Sequence, residues 1–461
     1  GRVEALEAEA SAKEPGVAPT IAAAACASAL HRRLVAWRSR LSVGGWAAAA
    51  TFGEDSGAPP PLRFDADFES GSLGPVNRIG PREYEISLVS DTAGGGDYVQ
   101  WFCFRARDMQ QDELYTFHLG NLIKPGSLFE EGCQPVMFSR KRRDALGTGW
   151  TREGSDVAYY PYHDLGRRHC ISFDIRFPHE DDEVFLSHAP PYTYTDHLSL
   201  LARCCPEERR RSLPPTCGGR ELTAVKLGDP AAPQQAWLVA RAHPGETHAS
   251  WVMQGALEFL CGGGEEAERC LQGLRWVLVP MLNPDGVASG RTRTNLDGID
   301  LNRHHHDDCA PETRGLRALM QEEVKTGEPL AFVDIHSHSR RRGVFAIANG
   351  ADGDPLVASM AAHSPLLDAA GTSRAEVKAK DEGVGRVAAS RLGFPYSVTL
   401  EASLCARHAA AGNHHLSLKD LLEVGRAVVL GIADLVRKPG VAEDDEVVVV
   451  ADSPSATPSL V

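Results

Sequence analysis

Between about residue 220 and residue 400, short apolar runs alternate with helical segments, and this alternation constrains the fold more than any other feature. Trp237 to Arg241, Trp276 to Leu282, Leu330 to Ile335, Val344 to Ala348 and Ser397 to Leu400 are too continuous to be strands wetted on one side. Strands buried on both faces belong to a mostly parallel or mixed sheet with helices packed on each side. Ala249 to Leu260 is one of the intervening helices. A last helix is predicted over Leu416 to Lys438, where Leu421, Val424, Val428, Ile432 and Leu435 recur every three or four residues. Pro439-Gly440 stops it.

Upstream, from Leu62 to His188, the period changes to two. Tyr98 to Arg105 and His169 to Phe177 are the clearest runs, with shorter ones at Tyr84 to Leu88, Tyr115 to Leu119, Pro135 to Ser139 and Val157 to Tyr160. Many short strands separated by Gly, Asp and Pro predict an antiparallel β-sandwich. The expected organisation is an Ala-rich, poorly ordered extension over 1–60, a sandwich over 61–205, an α/β domain over 206–438 and an acidic flexible tail over 439–461. Cys204 to Gly219 reads as a polar bridge between the two domains.

Charge narrows the partners. The 461 residues carry 62 acids against 48 bases, a net charge of -14, which argues against nucleic acid or an anionic membrane surface. No apolar run approaches the ~20 residues that span a bilayer. Eleven cysteines without metal-finger or disulfide spacing predict buried free thiols in a reducing, cytoplasmic compartment.

Four apolar runs end on residues that carry chemistry, and the carboxyl ends of strands are where an α/β sheet binds ligands. His243-Pro-Gly-Glu246 follows the first run, and a His and a Glu three apart on such a turn can converge on one metal. His336, at the end of Leu330 to Ile335, supplies a third ligand, with His338 as a rival on the same strand face. Two His and one Glu, with a fourth position left for water, is the donor set of hydrolytic zinc sites. Asn283-Pro-Asp-Gly286 closes another run and leads to Arg291, Arg293, Asn302 and Arg303, where an amide beside a guanidinium fork suits a carboxylate. Glu401 closes the fourth.

In this order, His243-Pro-Gly-Glu246, Asn283-Pro-Asp-Gly286, Asp300-Leu-Asn-Arg303, His336-Ser-His-Ser339 and Leu400-Glu-Ala-Ser403 resemble the zinc metallocarboxypeptidases, and among them the cytosolic carboxypeptidases. Tyr115-Thr-Phe117, Asn121-Leu-Ile-Lys-Pro125, Gln134-Pro135, Phe177-Pro-His-Glu-Asp181 and Pro191-Tyr-Thr-Tyr-Thr-Asp196 are similar to that subfamily's N-terminal sandwich. The resemblance implies one zinc ion held by His243, Glu246 and His336, with Glu401 as general base and Arg293 polarising the scissile carbonyl. It further implies Asn302 and Arg303 on the substrate's terminal carboxylate, and Arg386 at the base of the specificity pocket, where it would favour an acidic side chain. The expected substrates are C-terminal tails of proteins or peptides, tubulin among them, losing glutamate. Because the net charge opposes an acidic substrate at long range, attraction falls to local cations, for which Arg340, Arg341, Arg342, Lys378 and Lys380 are available. A silent peptide-binding module and a zinc deacylase acting on small acylated amino acids are the alternatives. The first would have no need of Glu401.

Overall fold

Ten strands make the first unit: β1 (Arg63–Asp65), β2 (Val76–Gly80), β3 (Glu83–Ser87), β4 (Cys103–Arg107), β5 (Leu114–Leu122), β6 (Val136–Ser139), β7 (Thr151–Arg152), β8 (Ser155–Tyr162), β9 (Arg168–Arg176) and β10 (Val184–Ser187). They pair as two five-stranded sheets, β1-β4-β10-β6-β7 and β2-β3-β5-β9-β8. All pairings are antiparallel except β3 with β5. Every second residue of β5 and β9 (Tyr115, Phe117, Leu119; Ile171, Phe173, Ile175) enters the shared core with Phe104, Ala106 and Leu186 of the other sheet. That is the sandwich expected from the period-two pattern. This computed structural model describes residues 59–92, 98–162, 168–407 and 415–436. The acidic tail, and all but the last two residues of the Ala-rich extension, lie outside the described residues.

One predicted strand is shorter than its pattern. Tyr98 to Phe102 alternates like a strand, yet β4 begins at Cys103. The backbone N–H groups of Gln100 and Trp101 donate instead to Thr292 Oγ1 of the second unit, at 3.1 and 3.0 Å. A side chain more than 190 positions away thus takes the donors that a ladder would have used.

Eight strands make the second unit: β11 (Arg210–Leu213), β12 (Leu222–Gly228), β13 (Gln234–Ala240), β14 (Arg275–Val279), β15 (Glu328–His338), β16 (Val344–Asn349), β17 (Ser373–Ala375) and β18 (Tyr396–Ser403). Their order is β11-β12-β14-β13-β15-β18-β16-β17. The centre β14-β13-β15-β18 is parallel and the flanks bring in antiparallel pairs, so the sheet is mixed. β11 falls in the supposed polar bridge. An edge strand of sequence RRSL pairs on one side only and carries no apolar signature.

Burial on both faces follows from the alternation within each strand. Ala236, Leu238 and Ala240 of β13 pack with Val333, Ile335 and Leu400 beneath the helices Thr247–Cys261 and Leu418–Ala433. Trp237 and Val239 point the other way, to Val277, Phe332 and the helix Pro311–Glu323. Trp237 is fully buried, and its truncation to Ala would cost about 3–5 kcal/mol. The last helix begins at a Ser417–Asp420 capping box and ends at Ala433, short of the predicted Lys438. The helix Tyr194–Cys204, capped by Thr193 and Asp196, sends Leu200 and Leu201 into the core of the large sheet. No described helix is long and apolar enough to cross a membrane.

Candidate metal centre

Just after β13, Arg241 takes a left-handed backbone (φ 63°), uncommon for an arginine. Its buried guanidinium donates to the carbonyls of Pro244 (2.8 Å) and Tyr192 (3.1 Å) and to Ser250 Oγ (2.8 Å), which fixes the turn His243-Pro-Gly-Glu246. The turn Asn283-Pro-Asp-Gly286 braces it from behind: Asn283 donates to the Ala242 carbonyl (3.1 Å) and accepts from the Gly286 N–H (3.0 Å). Neither turn tolerates a side chain at its glycine. A Cβ on Gly286 would lie 2.4 Å from Pro244 Cγ, and one on Gly245 would lie 2.9 Å from the Thr292 carbonyl.

His336, on β15, meets this turn. Its Nδ1 lies 3.1 Å from His243 Nδ1, and the two nitrogens face the two oxygens of Glu246, each at 2.8 Å. One donor atom from each of the three residues falls within 4.8 Å of the others. The outer ring nitrogens face carboxylates: His243 Nε2 lies 3.0 Å from Asp300 Oδ1, and His336 Nε2 lies 3.0 Å from Asp334 Oδ2. For His243, a proton kept on Nε2 towards Asp300 leaves the inner lone pair free, which is how metal-binding histidines are commonly oriented. Two inner nitrogens and a carboxylate around one point fit a zinc ion. Charge readies the Glu246 carboxylate, whereas His336 must give up a proton to bind a metal. Burial alone would raise the Glu246 carboxyl, but the two imidazoles hold it well below the carboxylate range. Burial alone would lower His336, yet Asp334 and Glu246 push it well up. The rival His338 is elsewhere: its Nδ1 accepts from the Arg340 N–H at 3.3 Å and its ring packs edge-on against Phe345.

Glu401 stands on β18 in register with His336. Its Oε2 is buried without a hydrogen-bond partner, and burial together with nearby Glu246 pushes the carboxyl up to about 8. Arg293 donates from Nε to Asp300 Oδ2 at 2.6 Å and lies 5.8 Å from the centre of the Tyr98 ring. Asp300 therefore joins Arg293 to His243. Glu246 and Arg293 line a cleft together with Tyr98, Lys124, His188 and Ser337.

Residues 194–343 match the family described as zinc carboxypeptidase, and residues 64–152 match the cytosolic carboxypeptidase N-terminal domain. The chain belongs to the zinc carboxypeptidase family. Cytosolic carboxypeptidase 2 of Mus musculus is 31% identical over 393 residues, which cover 79% of this chain and 45% of that protein. The protein of the same name in Homo sapiens is 32% identical over 398 residues, covering 79% and 43%. The chain thus spans less than half the length of those curated relatives. A solved metallo-carboxypeptidase from Burkholderia cenocepacia shares the fold, with a TM-score of 0.67, 21% identity and coverage of 81% of this chain and 98% of that one. The family's cofactor is one zinc ion, and the His243, Glu246 and His336 donors fit it.

The other residues singled out lie behind this centre or apart from it. Asn302 is buried behind His336, with Nδ2 at 3.1 Å from His336 Nε2 and Oδ1 accepting from the Gly385 N–H at 2.9 Å. Arg303 is exposed and donates to the Asn302 carbonyl at 2.6 Å. Arg386 is buried, donates to Asn349 Oδ1 at 3.1 Å and lines a separate hollow with Lys378 and Lys380. Of the arginine run, Arg341 lies 3.8 Å from the centre of the Phe345 ring and Arg342 pairs with Glu131 at 2.8 Å.

Sequence reasoning gave no role to Asp91, Lys124, Asp300 or Asp334. Asp91 accepts from the backbone N–H groups of Thr292, Arg293 and Thr294 at 2.7, 2.6 and 2.8 Å, so the sandwich holds the Arg293 loop. Lys124, also from the sandwich, donates to Ser339 Oγ at 2.6 Å inside the cleft. Burial and Arg293 bring its ammonium down to about 8, against the pull of Glu246 and Glu401. Only Asp334 left a usable signal, an acid two positions before His336 on the same strand face.

Proposed function

We propose that the chain is a zinc-dependent carboxypeptidase that releases single C-terminal residues, preferentially glutamate, from proteins or peptides. The observation that carries this reading is the convergence of His243, Glu246 and His336 on one point, with Glu401, whose Oε2 has no hydrogen-bond partner among the described residues, in register beside His336. When bound, the zinc ion supplies Lewis-acid polarisation of the scissile carbonyl and an acidified water. Glu401 accepts the proton of the attacking water and passes it to the departing amine. Arg293, held through Nε by Asp300, keeps its terminal amino groups for the negative charge that develops on the carbonyl oxygen. Arg303 takes the substrate's free carboxylate, steadied by the Asn302 carbonyl while the Asn302 amide stays behind His336; that requirement makes the activity an exopeptidase.

Acidic preference rests on local cations. Lys124 and Arg293 line the cleft, and Arg386 lies in the separate hollow beyond it, within reach of the Asp334 and Glu401 charges. These cations offset the net charge of -14 where the substrate docks. The glutamate-rich tails of tubulin and a cytoplasmic setting go with this reading. Incubating the zinc-loaded chain with a panel of peptides that differ only in the last residue, read by mass spectrometry, tests it. Stepwise loss of one residue is expected, fastest for Glu and absent from C-terminally amidated peptides. Cleavage of the amidated peptides, or action on small acylated amino acids with peptides ignored, would overturn it.

A further inference from the structure

Outside the catalytic cleft, Cys133, Cys405 and His415 form a second convergence of donors. One ligand atom from each lies within 4.8 Å of the others. Both cysteines are 2% exposed, and neither is in a disulfide. The three come from separate parts of the fold. Cys133 follows the short 3-10 helix Leu128–Glu131 of the sandwich, Cys405 lies two residues past β18, and His415 bridges Ala406.

Buried free thiols are commonly just small apolar side chains. This group departs from that in its geometry, because two sulfurs and an imidazole share one buried point. His415 Nε2 accepts from the Gln134 N–H at 3.3 Å, so that nitrogen carries a lone pair rather than a proton. Arg152 places Nη1 3.9 Å from Cys133 Sγ while donating to the Gln134 and Leu404 carbonyls at 2.7 and 2.6 Å. A cation at this point would take the sulfurs as thiolates and the imidazole through a lone pair. Metal binding needs both groups in this deprotonated form.

We propose that Cys133, Cys405 and His415 form a structural site for a thiophilic divalent cation, zinc by the chemistry of its donors, that pins the end of β18 to the sandwich. Two sulfurs and one imidazole nitrogen are a soft set of the kind zinc takes. Tetrahedral bonds of about 2.0–2.3 Å separate such donors by roughly 3.3–3.8 Å, inside the 4.8 Å span observed. Water completes the shell from the small hollow lined by Glu131, Arg342, Cys405 and His415. The site bears on catalysis through position alone. Cys405 follows Glu401 by four residues, and Leu404 between them lines the cleft.

The test does not require activity. The catalytic donors contain no sulfur, so a thiolate-to-metal absorption band in the near ultraviolet of the cobalt(II)-loaded full chain can arise only from a thiol site. Two equivalents of zinc per chain and such a cobalt band are expected. His415→Ala and Cys405→Ser should each lose one equivalent and the band. If either variant fails to fold, alkylation of the unmodified chain decides: zinc should protect Cys133 and Cys405, and a chelator should expose them. A single equivalent of zinc without a cobalt band would overturn the proposal. So would a band that survives both substitutions, a Cys133–Cys405 disulfide in non-reducing peptide maps, or alkylation indifferent to zinc.

Discussion

Glu401 and His336 stand in register on adjacent parallel strands, β18 and β15, so one sheet face carries a proposed metal ligand and the proposed base side by side. Alternation makes this possible. Val398, Leu400 and Ala402 fill the core on one face, which leaves Glu401 on the other. The pairing is backbone geometry, so removing the charge of Glu401 leaves the ligand in place. Glu401→Gln should lower turnover by at least ~10²-fold while the chain keeps its catalytic zinc. Parallel rate and metal measurements check this, and undiminished turnover would reassign the base.

Asp300 uses its two oxygens for different partners, His243 through one and Arg293 through the other. Burial would raise its carboxyl, but both partners hold it low. Asp300→Asn should weaken zinc binding about 10–100-fold, as loss of a ligand's supporting carboxylate does elsewhere. It should also slow turnover at saturating zinc, because Arg293 loses its anchor. Titration against a chromogenic chelator separates the two effects. Normal turnover at saturating zinc would limit Asp300 to His243.

Lys124 and Arg386 answer different questions about specificity. A charge-assisted hydrogen bond contributes about 1.5–3 kcal/mol, or roughly 10–100-fold in kcat/KM. Lys124→Met should raise KM for peptides ending in acidic stretches and leave those ending in Leu or Tyr nearly unchanged. Arg386→Ala should shift preference away from a terminal Glu. Equal losses on Glu, Leu and Tyr peptides would remove either residue from substrate recognition.

His197 makes stability depend on pH. It is buried on the helix Tyr194–Cys204, and burial, with Arg210 and Arg241 nearby, brings it down to about 4 from an ordinary value near 6.5. The unfolded chain therefore binds a proton that the folded chain refuses. The stability due to neutral His197 is complete above about pH 6.5 and is lost as pH falls towards 4, by at most about 1.4 kcal/mol per pH unit. The urea midpoint should drop between pH 7 and pH 5, and His197→Phe should flatten that drop. Identical pH profiles would assign the dependence to other groups.

The order of apolar runs along the chain was enough to specify both architectures, because a period of two and a fully apolar strand have different burial requirements. Sequence also located His243, Glu246, His336 and Glu401, since each ends or directly follows an apolar run and strand ends cluster at one edge of a parallel sheet. Strand position alone left His338 as a rival to His336, since the two share a strand face until β15 ends; the resemblance chose His336, and the turn that Arg241 holds meets that residue. Nor could it show that Asp91 fastens the Arg293 loop or that Lys124 enters the cleft, because both come from a different domain more than 160 residues upstream. Local periodicity encodes which face is buried. Which distant donor meets which acceptor is decided only when the two domains pack, and that packing leaves no repeat in the sequence.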